Sequence, residues 1–249
     1  MIQHQLALIC DFDGTITKTD VGHKIYTSFG DDRWEEVNKR WRRGEISSKD
    51  CLIGEYSFVD ASEDEVIEYV MGMDIDVGFL DIVHTCRDNN IPLAIASDGF
   101  DFYIKALLEK YDLYDKGIDI FCSEMEFKGR KVELSFPYYD KGCGLCGNCK
   151  KLHVQKFRDE GRKVIYIGDG LSDRFAARSS DVVFAKGELK QYLIESGFSF
   201  IEFEILIEID NWVNDLLTGA IETPEAFFDN TCKDPCPDVV SFTTTRENT

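Results

Sequence analysis

Leu6–Cys10 is an unbroken apolar run that stops at Asp11, and the chain repeats this plan twice more. Residues Ile91–Ala96 end at Ser97-Asp98-Gly99, and Val164–Ile167 end at Gly168-Asp169-Gly170; Val182–Ala185 is a shorter fourth run. Continuous apolar runs of this length, closed by turn residues, predict strands buried on both faces. Between them, Phe102–Tyr111 and Leu152–Glu160 carry apolar residues at three- and four-residue spacing, which predicts amphipathic helices. Strands alternating with helices predict an α/β fold, with a parallel sheet covered on both faces.

From about 18 to 80 the pattern is helical only, over Asp32–Arg43, Ser48–Phe58 and Glu63–Met71. This segment is expected to be a small helical cap inserted after the first strand. The alternating stretch from about 120 to 136, centred on Lys128-Gly129, predicts a hairpin. Phe203–Leu217 predicts a last helix, and the Pro-broken polar tail is expected to be poorly ordered. The expected organisation is an α/β core at 1–17 and 81–220, a cap at 18–80 and a tail at 221–249.

Composition narrows the function. With 43% apolar and 12% aromatic residues the chain can bury a core despite a net charge of −19. That surplus of acid argues against nucleic acid or an anionic membrane as the partner, since both need clustered Lys and Arg. No apolar run approaches the roughly 18 residues that span a bilayer. The start MIQHQLALICDFDG lacks the charged n-region and the apolar length of a signal peptide. The nine cysteines are odd in number and mostly scattered, so reduced thiols in a cytoplasmic protein are expected rather than a disulfide framework.

The chemistry gathers where the strands end. In open α/β sheets ligands bind outside the carboxyl ends of the strands, which would bring Asp11, Asp13, Ser97, Asp169 and Asp173 around one crevice. One acidic turn is ordinary turn chemistry; three, each after a different strand, are not. Asp11 and Asp13 are two apart in an extended segment and can face one site. Neighbouring carboxylates repel unless a cation or a shared proton holds them, and hard oxygen ligands suit Mg²⁺. Gly14 and Thr15 could add backbone N–H groups as an anion nest. An EF-hand loop is excluded, because its fifth and sixth positions fall on Thr15 and Ile16.

Asp11-Phe12-Asp13-Gly14-Thr15 resembles the first motif, DxDGT, of the haloacid dehalogenase superfamily of phosphatases. Ser97 is similar to the second motif, Lys150 to the third, and Gly168-Asp169-Gly170-Leu171-Ser172-Asp173 to the fourth, GDGxxD, in the same order along residues 5 to 185. The resemblance implies a Rossmann-like core and hydrolysis of a phosphate monoester. Asp11 would be the nucleophile and form an aspartyl-phosphate, and Asp13 the general acid and base. Mg²⁺ would be held by Asp11, the Asp13 carbonyl and Asp169. Ser97, Asp98 and Gly99, with Gly14 and Thr15, would bind the substrate's phosphate; Lys150 would stabilise charge, and Asp173 would fix Lys150 or a metal-bound water. The partner implied is a small phosphorylated metabolite.

The long insert between the first two motifs looks like the phosphoserine-phosphatase-like branch. DFDGTIT, SDGFDFYIKALLE and CGLCGNCKK are nearer to the methionine-salvage phosphatases, which act on a phosphorylated 2-hydroxy-3-keto-5-methylthiopentene. Asp98 departs from that pattern, where Gly is usual, and Val21 stands where Asn is usual. Phosphoserine or another small metabolite is the alternative substrate. A receiver-like domain is disfavoured by the late GDGxxD, and a protein kept for metal binding by the intact acids and Lys150.

Two features lie outside these motifs. Arg40, Arg42 and Arg43 belong to the densest basic stretch of the chain, which reads as a solvated helix face or as the source of one Arg that contacts substrate on cap closure. Cys143, Cys146 and Cys149 form a CxxCxxC run that, with Cys122 or His153, could ligate structural Zn²⁺; a tight Gly-rich loop is the other reading. Cys232, Cys236, His4, His23 and His84 carry no motif.

Overall fold

The computed structural model describes residues 6–142 and 144–221. The tail expected from 221 falls outside that range from 222 onward, as do His4, Cys143, Cys232 and Cys236. Seven strands form one sheet: β1 Leu6–Cys10, β2 Leu93–Phe100, β3 Ile118–Lys128, β4 Lys131–Ser135, β5 Lys163–Gly168, β6 Val182–Ala185 and β7 Ile201–Glu202. Their order is β4-β3-β2-β1-β5-β6-β7. All neighbours are parallel except β3 and β4, which form the expected hairpin. Its two-residue turn is Gly129-Arg130, one position later than Lys128-Gly129, because Lys128 pairs with Lys131 and Gly129 supplies the positive φ.

The alternation of β1 explains the layers. Leu6, Leu8 and Cys10 enter one apolar cluster, while Ala7 and Ile9 enter another on the opposite face. The first cluster takes in helices α5 Gly78–Asp88, α6 Asp101–Lys110 and α10 Leu206–Thr218. The second takes in α7 Lys150–Asp159, α8 Arg174–Ala177 and α9 Gly187–Ser196.

The 18–80 segment folds as four helices, α1 Val21–Phe29, α2 Trp34–Arg42, α3 Ser48–Tyr56 and α4 Glu63–Met71. The first was not visible as a separate pattern; Asp20 caps it by accepting the His23 N–H at 2.7 Å. Ile25, Tyr26, Tyr56, Val66 and Val70 of these helices join the same apolar cluster as the strands. The chain leaves and re-enters the core side by side, where Thr17 bridges Ile75 and the Asp76 N–H donates to the Ile16 carbonyl.

β2 runs past Ala96, where its apolar pattern ends. Its ladder with β3 shifts register between Ala96 and Phe100. Asn148 fills the gap: its Nδ2 donates to the Ser97 carbonyl at 2.9 Å and to the Phe121 carbonyl at 2.7 Å. A side chain from a distant loop replaces the ladder bonds, which no local pattern could reveal. Among the described residues no helix is long and apolar enough to cross a membrane.

Candidate active site

The central strand β1 hydrogen-bonds to β2 on one side and β5 on the other, and Cys10 is level with both Ile95 and Ile167. The residues that follow these three positions therefore emerge at one edge, at the point where the strand order reverses. Asp11 comes off β1 and Asp169 off β5, and Ser97 lies in the irregular end of β2. Lys150 is the first residue of α7 and is only 3% exposed.

Asp11 Oδ1 accepts from Lys150 Nζ and from the Phe12 N–H, each at 2.7 Å. Lys150 Nζ also reaches Asp173 Oδ1 at 2.7 Å and the Ser172 hydroxyl at 3.1 Å. The Asp173 carboxylate is fully engaged, accepting from Tyr166 OH at 2.6 Å and from the N–H groups of Asp169 and Gly170. It thus fixes the ammonium and the turn that carries Asp169. Burial alone would discharge Lys150, but Asp11 and Asp173 outweigh it and hold its pKa well above the ordinary value.

Asp13 points elsewhere. Its Oδ1 accepts from the Val21 and Gly22 N–H groups at the start of α1, and its Oδ2 from Tyr103 OH at 2.7 Å and the Ser97 hydroxyl at 3.3 Å. All these donors are neutral. Burial first, and then the charge of Asp20, push its pKa up to about 7. Asp11 is also pushed up, by burial and by Asp173, with Lys150 opposing.

Asp11, Asp169 and Asp173 offer oxygens within 4.8 Å of one another, and this is the one such group of Asp, Glu, His or Cys among the described residues. Thr15 Oγ1 donates to Asp169 Oδ1 at 2.6 Å, so its hydroxyl orients an acid. The Gly14 N–H donates to Thr17 Oγ1 and the Gly99 N–H to Ser97 Oγ, so these two expected anion donors are engaged within their own turns. Gly14 has φ +79°, and a Cβ there would lie 2.5 Å from Asp169 Oδ2. Asp98 Oδ1 accepts the Asn148 N–H at 2.7 Å, which ties it to the Cys-rich loop.

Of the candidate zinc ligands, Cys143 lies outside the described residues. Cys122 is buried in β3; His153 Nε2 donates to Asn148 Oδ1 at 2.7 Å and its ring stacks on Phe121 at 4.2 Å. Cys146 and Cys149 lie in the loop before α7.

A cavity of about 590 Å³ joins these strand ends to the helices of the 18–80 segment, with Asp11, Asp13, Ser97, Lys150 and Asp169 in its wall. Arg42 also lines it and is paired with Glu188 of α9 at 3.0 Å. Arg40 and Arg43 pair with Glu45 on the surface.

A family model described as "Putative Phosphatase" matches residues 6–216. The chain belongs to this phosphatase family. A 2-hydroxy-3-keto-5-methylthiopentenyl-1-phosphate phosphatase of Lysinibacillus sphaericus is 35% identical over 204 residues, covering 79% of this chain and 88% of that protein. A protein of the same name from Bacillus cereus is 31% identical over 216 residues, covering 85% and 97%. A solved phosphoserine phosphatase, with an analogue of a phospho-aspartyl intermediate, superposes with a TM-score of 0.64 at 19% identity, covering 84% of this chain and 98% of that one. The α/β architecture of the family is thus that of the haloacid dehalogenase-type phosphoserine phosphatases.

In this member of the phosphatase family, several contributors to the site carried no signal of their own in the sequence. Tyr103 had one only as part of an apolar helix face, and Tyr166 only as a strand residue. Asn148 and Ser172 are polar residues beside glycines or within a Gly-rich turn, and nothing local distinguishes them from turn residues.

Proposed function

We propose that this chain is a Mg²⁺-dependent phosphatase of small phosphate monoesters, working through an aspartyl-phosphate on Asp11. The observation that carries the reading is the unequal treatment of two acids two residues apart. Asp11 touches an ammonium, and Asp13 touches only neutral donors. A nucleophile must be ionised and a general acid protonated. The Lys150 ammonium opposes the burial and the Asp173 charge that push Asp11 up, and a bound divalent cation would add to it, whereas no cation among the described residues touches Asp13.

The donor set suits Mg²⁺. It consists of carboxylate oxygens without nitrogen or sulfur, and two of its three acids share the Lys150 ammonium, so it carries negative charge that a divalent cation would offset. Asp11, Asp169 and the Asp13 carbonyl would hold the ion, which when bound neutralises charge around the transferring phosphoryl group.

The chain's own residues do the rest. Both hydrogen bonds to Asp11 fall on Oδ1, which leaves Oδ2 for attack on phosphorus along the line of the leaving oxygen. Lys150, held by Asp173 and Ser172, balances charge on Asp11 and on the phosphoryl oxygens throughout. The P–O bond to the alcohol breaks as the Asp13 proton passes to the leaving oxygen; Asp13 then takes a proton from the water that opens the acyl-phosphate. The Ser97 hydroxyl donates to Asp13 Oδ2 and lines the same cavity, where it would hold a phosphoryl oxygen.

The names of the relatives favour 2-hydroxy-3-keto-5-methylthiopentenyl-1-phosphate, the methionine-salvage phosphate, as substrate, and the scattered cysteines suit a cytoplasmic setting. Mg²⁺-dependent release of inorganic phosphate from p-nitrophenyl phosphate and from a panel of metabolite monoesters tests the reading. The expected result is turnover by wild-type protein and a loss of at least ~10⁴-fold in Asp11→Asn. Folded wild-type protein with no turnover across the panel would refute it.

A further inference from the structure

The mechanism uses the strand-end half of the cavity and leaves its other half unassigned. That half is built by α1, α2 and α3, and Glu55 is its buried carboxylate. This carboxylate is 4% exposed, sits on α3 and lines the cavity wall. Asn38 Nδ2 donates to Glu55 Oε1 at 3.1 Å, and the Cys51 thiol and Tyr26 hydroxyl also hydrogen-bond to it. Each of these partners is neutral. A buried carboxylate held by neutral donors alone costs stability, and a place in a cavity wall gives that cost a purpose.

The charges around it sharpen the point. Asp20, at the start of α1, is a second acid in the same wall. Of the wall's cations, Lys150 is buried between Asp11 and Asp173, and Arg42 is in a half-exposed pair with Glu188. His23 shares its Nδ1 with the Tyr26 hydroxyl. Apolar surface comes from Trp34, Trp41 and Leu52. A leaving group that brought a carboxylate or a second phosphate into this half would meet Glu55 and Asp20, and would gain a guanidinium only by breaking the Arg42–Glu188 pair. One that offers an O–H or N–H would find an acceptor and an apolar flank.

We propose that Glu55 is the specificity-determining residue for the leaving group: it selects monoesters of a non-anionic alcohol that carries a hydrogen-bond donor. The assignment rests on the phosphatase reading above and deepens it. It accounts for a cavity that handles a dianionic phosphate at one end yet presents acids at the other.

The test is a ranking of kcat/KM on four esters that differ only beyond the phosphate: 2-hydroxypropyl phosphate, phosphoethanolamine, propyl phosphate and phosphoglycolate. The first two separate a hydroxyl from an ammonium donor. Wild-type enzyme is expected to favour at least one of them over propyl phosphate by about tenfold or more, and to take phosphoglycolate worst. Glu55→Gln and Glu55→Met are each expected to narrow the gap to phosphoglycolate by about tenfold or more. A ratio between substrates cancels any general loss of active enzyme, and the wild-type ranking needs no variant to fold. A wild-type enzyme indifferent to the donor, one that prefers the carboxylate, or variants with an unchanged ranking would overturn the proposal. Turnover of p-nitrophenyl phosphate in the same assay keeps the two readings apart: if it persists while the ranking fails, only the role of Glu55 falls.

Discussion

Asp13 shows how a single side chain can be set for acid chemistry by its surroundings. Four neutral donors hold it, and burial with the nearby Asp20 charge raises its pKa to about 7. A group that must be protonated to act loses its proton as pH climbs through that value. The expected kcat profile therefore falls on the alkaline side with a midpoint near 7, and Asp13→Asn is expected to remove that limb along with most of the activity. The sign of one neighbour is also fixed. The Tyr103 hydroxyl bond favours the carboxylate and lowers its pKa, so Tyr103→Phe is expected to move the alkaline midpoint upward. A downward shift, or none, in a steady-state pH series would contradict this account of Asp13. The pair Asp11 and Asp13 was legible in the sequence because period-two spacing in an extended segment is a local property. The partners that divide their roles were not legible, since Lys150, Tyr103 and Ser97 meet them across the fold.

At the scale of elements, the same division holds. The buried strands were legible because a short, unbroken apolar run closed by turn residues suits a strand covered on both faces and little else. β1, β5 and β6 lie within a residue of their apolar runs. The end of β2 was not legible, because Asn148 bridges the gap in its ladder between Ala96 and Phe100, where pairing with β3 resumes. Asn148 ties three pieces together: the Ser97 turn, β3 at Phe121 and the loop leading to Lys150 two residues on. Asn148→Ala would leave the Ser97 and Phe121 carbonyls, and the His153 N–H, without this partner in a buried setting. A loss of roughly 2–4 kcal/mol is expected by denaturant unfolding, with kcat reduced because the start of α7 is no longer pinned. A variant as stable and as active as wild type would show that the loop finds its place without it. By contrast the Arg42–Glu188 pair, about half exposed on both sides, is worth little to stability. The CxxCxxC run has a spacing that suits a metal knuckle or a tight Gly-rich loop, and spacing alone does not show that His153 bonds Asn148 and stacks on Phe121.

For the whole molecule, the net charge of −19 acquires a distribution. A few of the 47 acids stand at one sheet edge, where a cation and a phosphate would be gathered. Glu55 stands in the wall that α1, α2 and α3 build, and Asp20 is close to both Asp13 and Glu55. The strand reversal at β1 makes this arrangement possible, since it opens the crevice in which three separate strand ends converge. The fold class followed from the alternation of strands and helices, but the shape and charge of the cavity did not. They depend on how four short helices, three of them with side-chain N-caps, settle over the sheet. The central claim is that the phosphoryl group passes through Asp11, and trapping it there is the most direct test. Wild-type enzyme mixed with Mg²⁺ and substrate, quenched in acid and digested, is expected to yield a phosphorylated peptide whose modified residue is Asp11, absent from Asp11→Asn. Active enzyme that never labels at Asp11, or that labels at another residue, would contradict it.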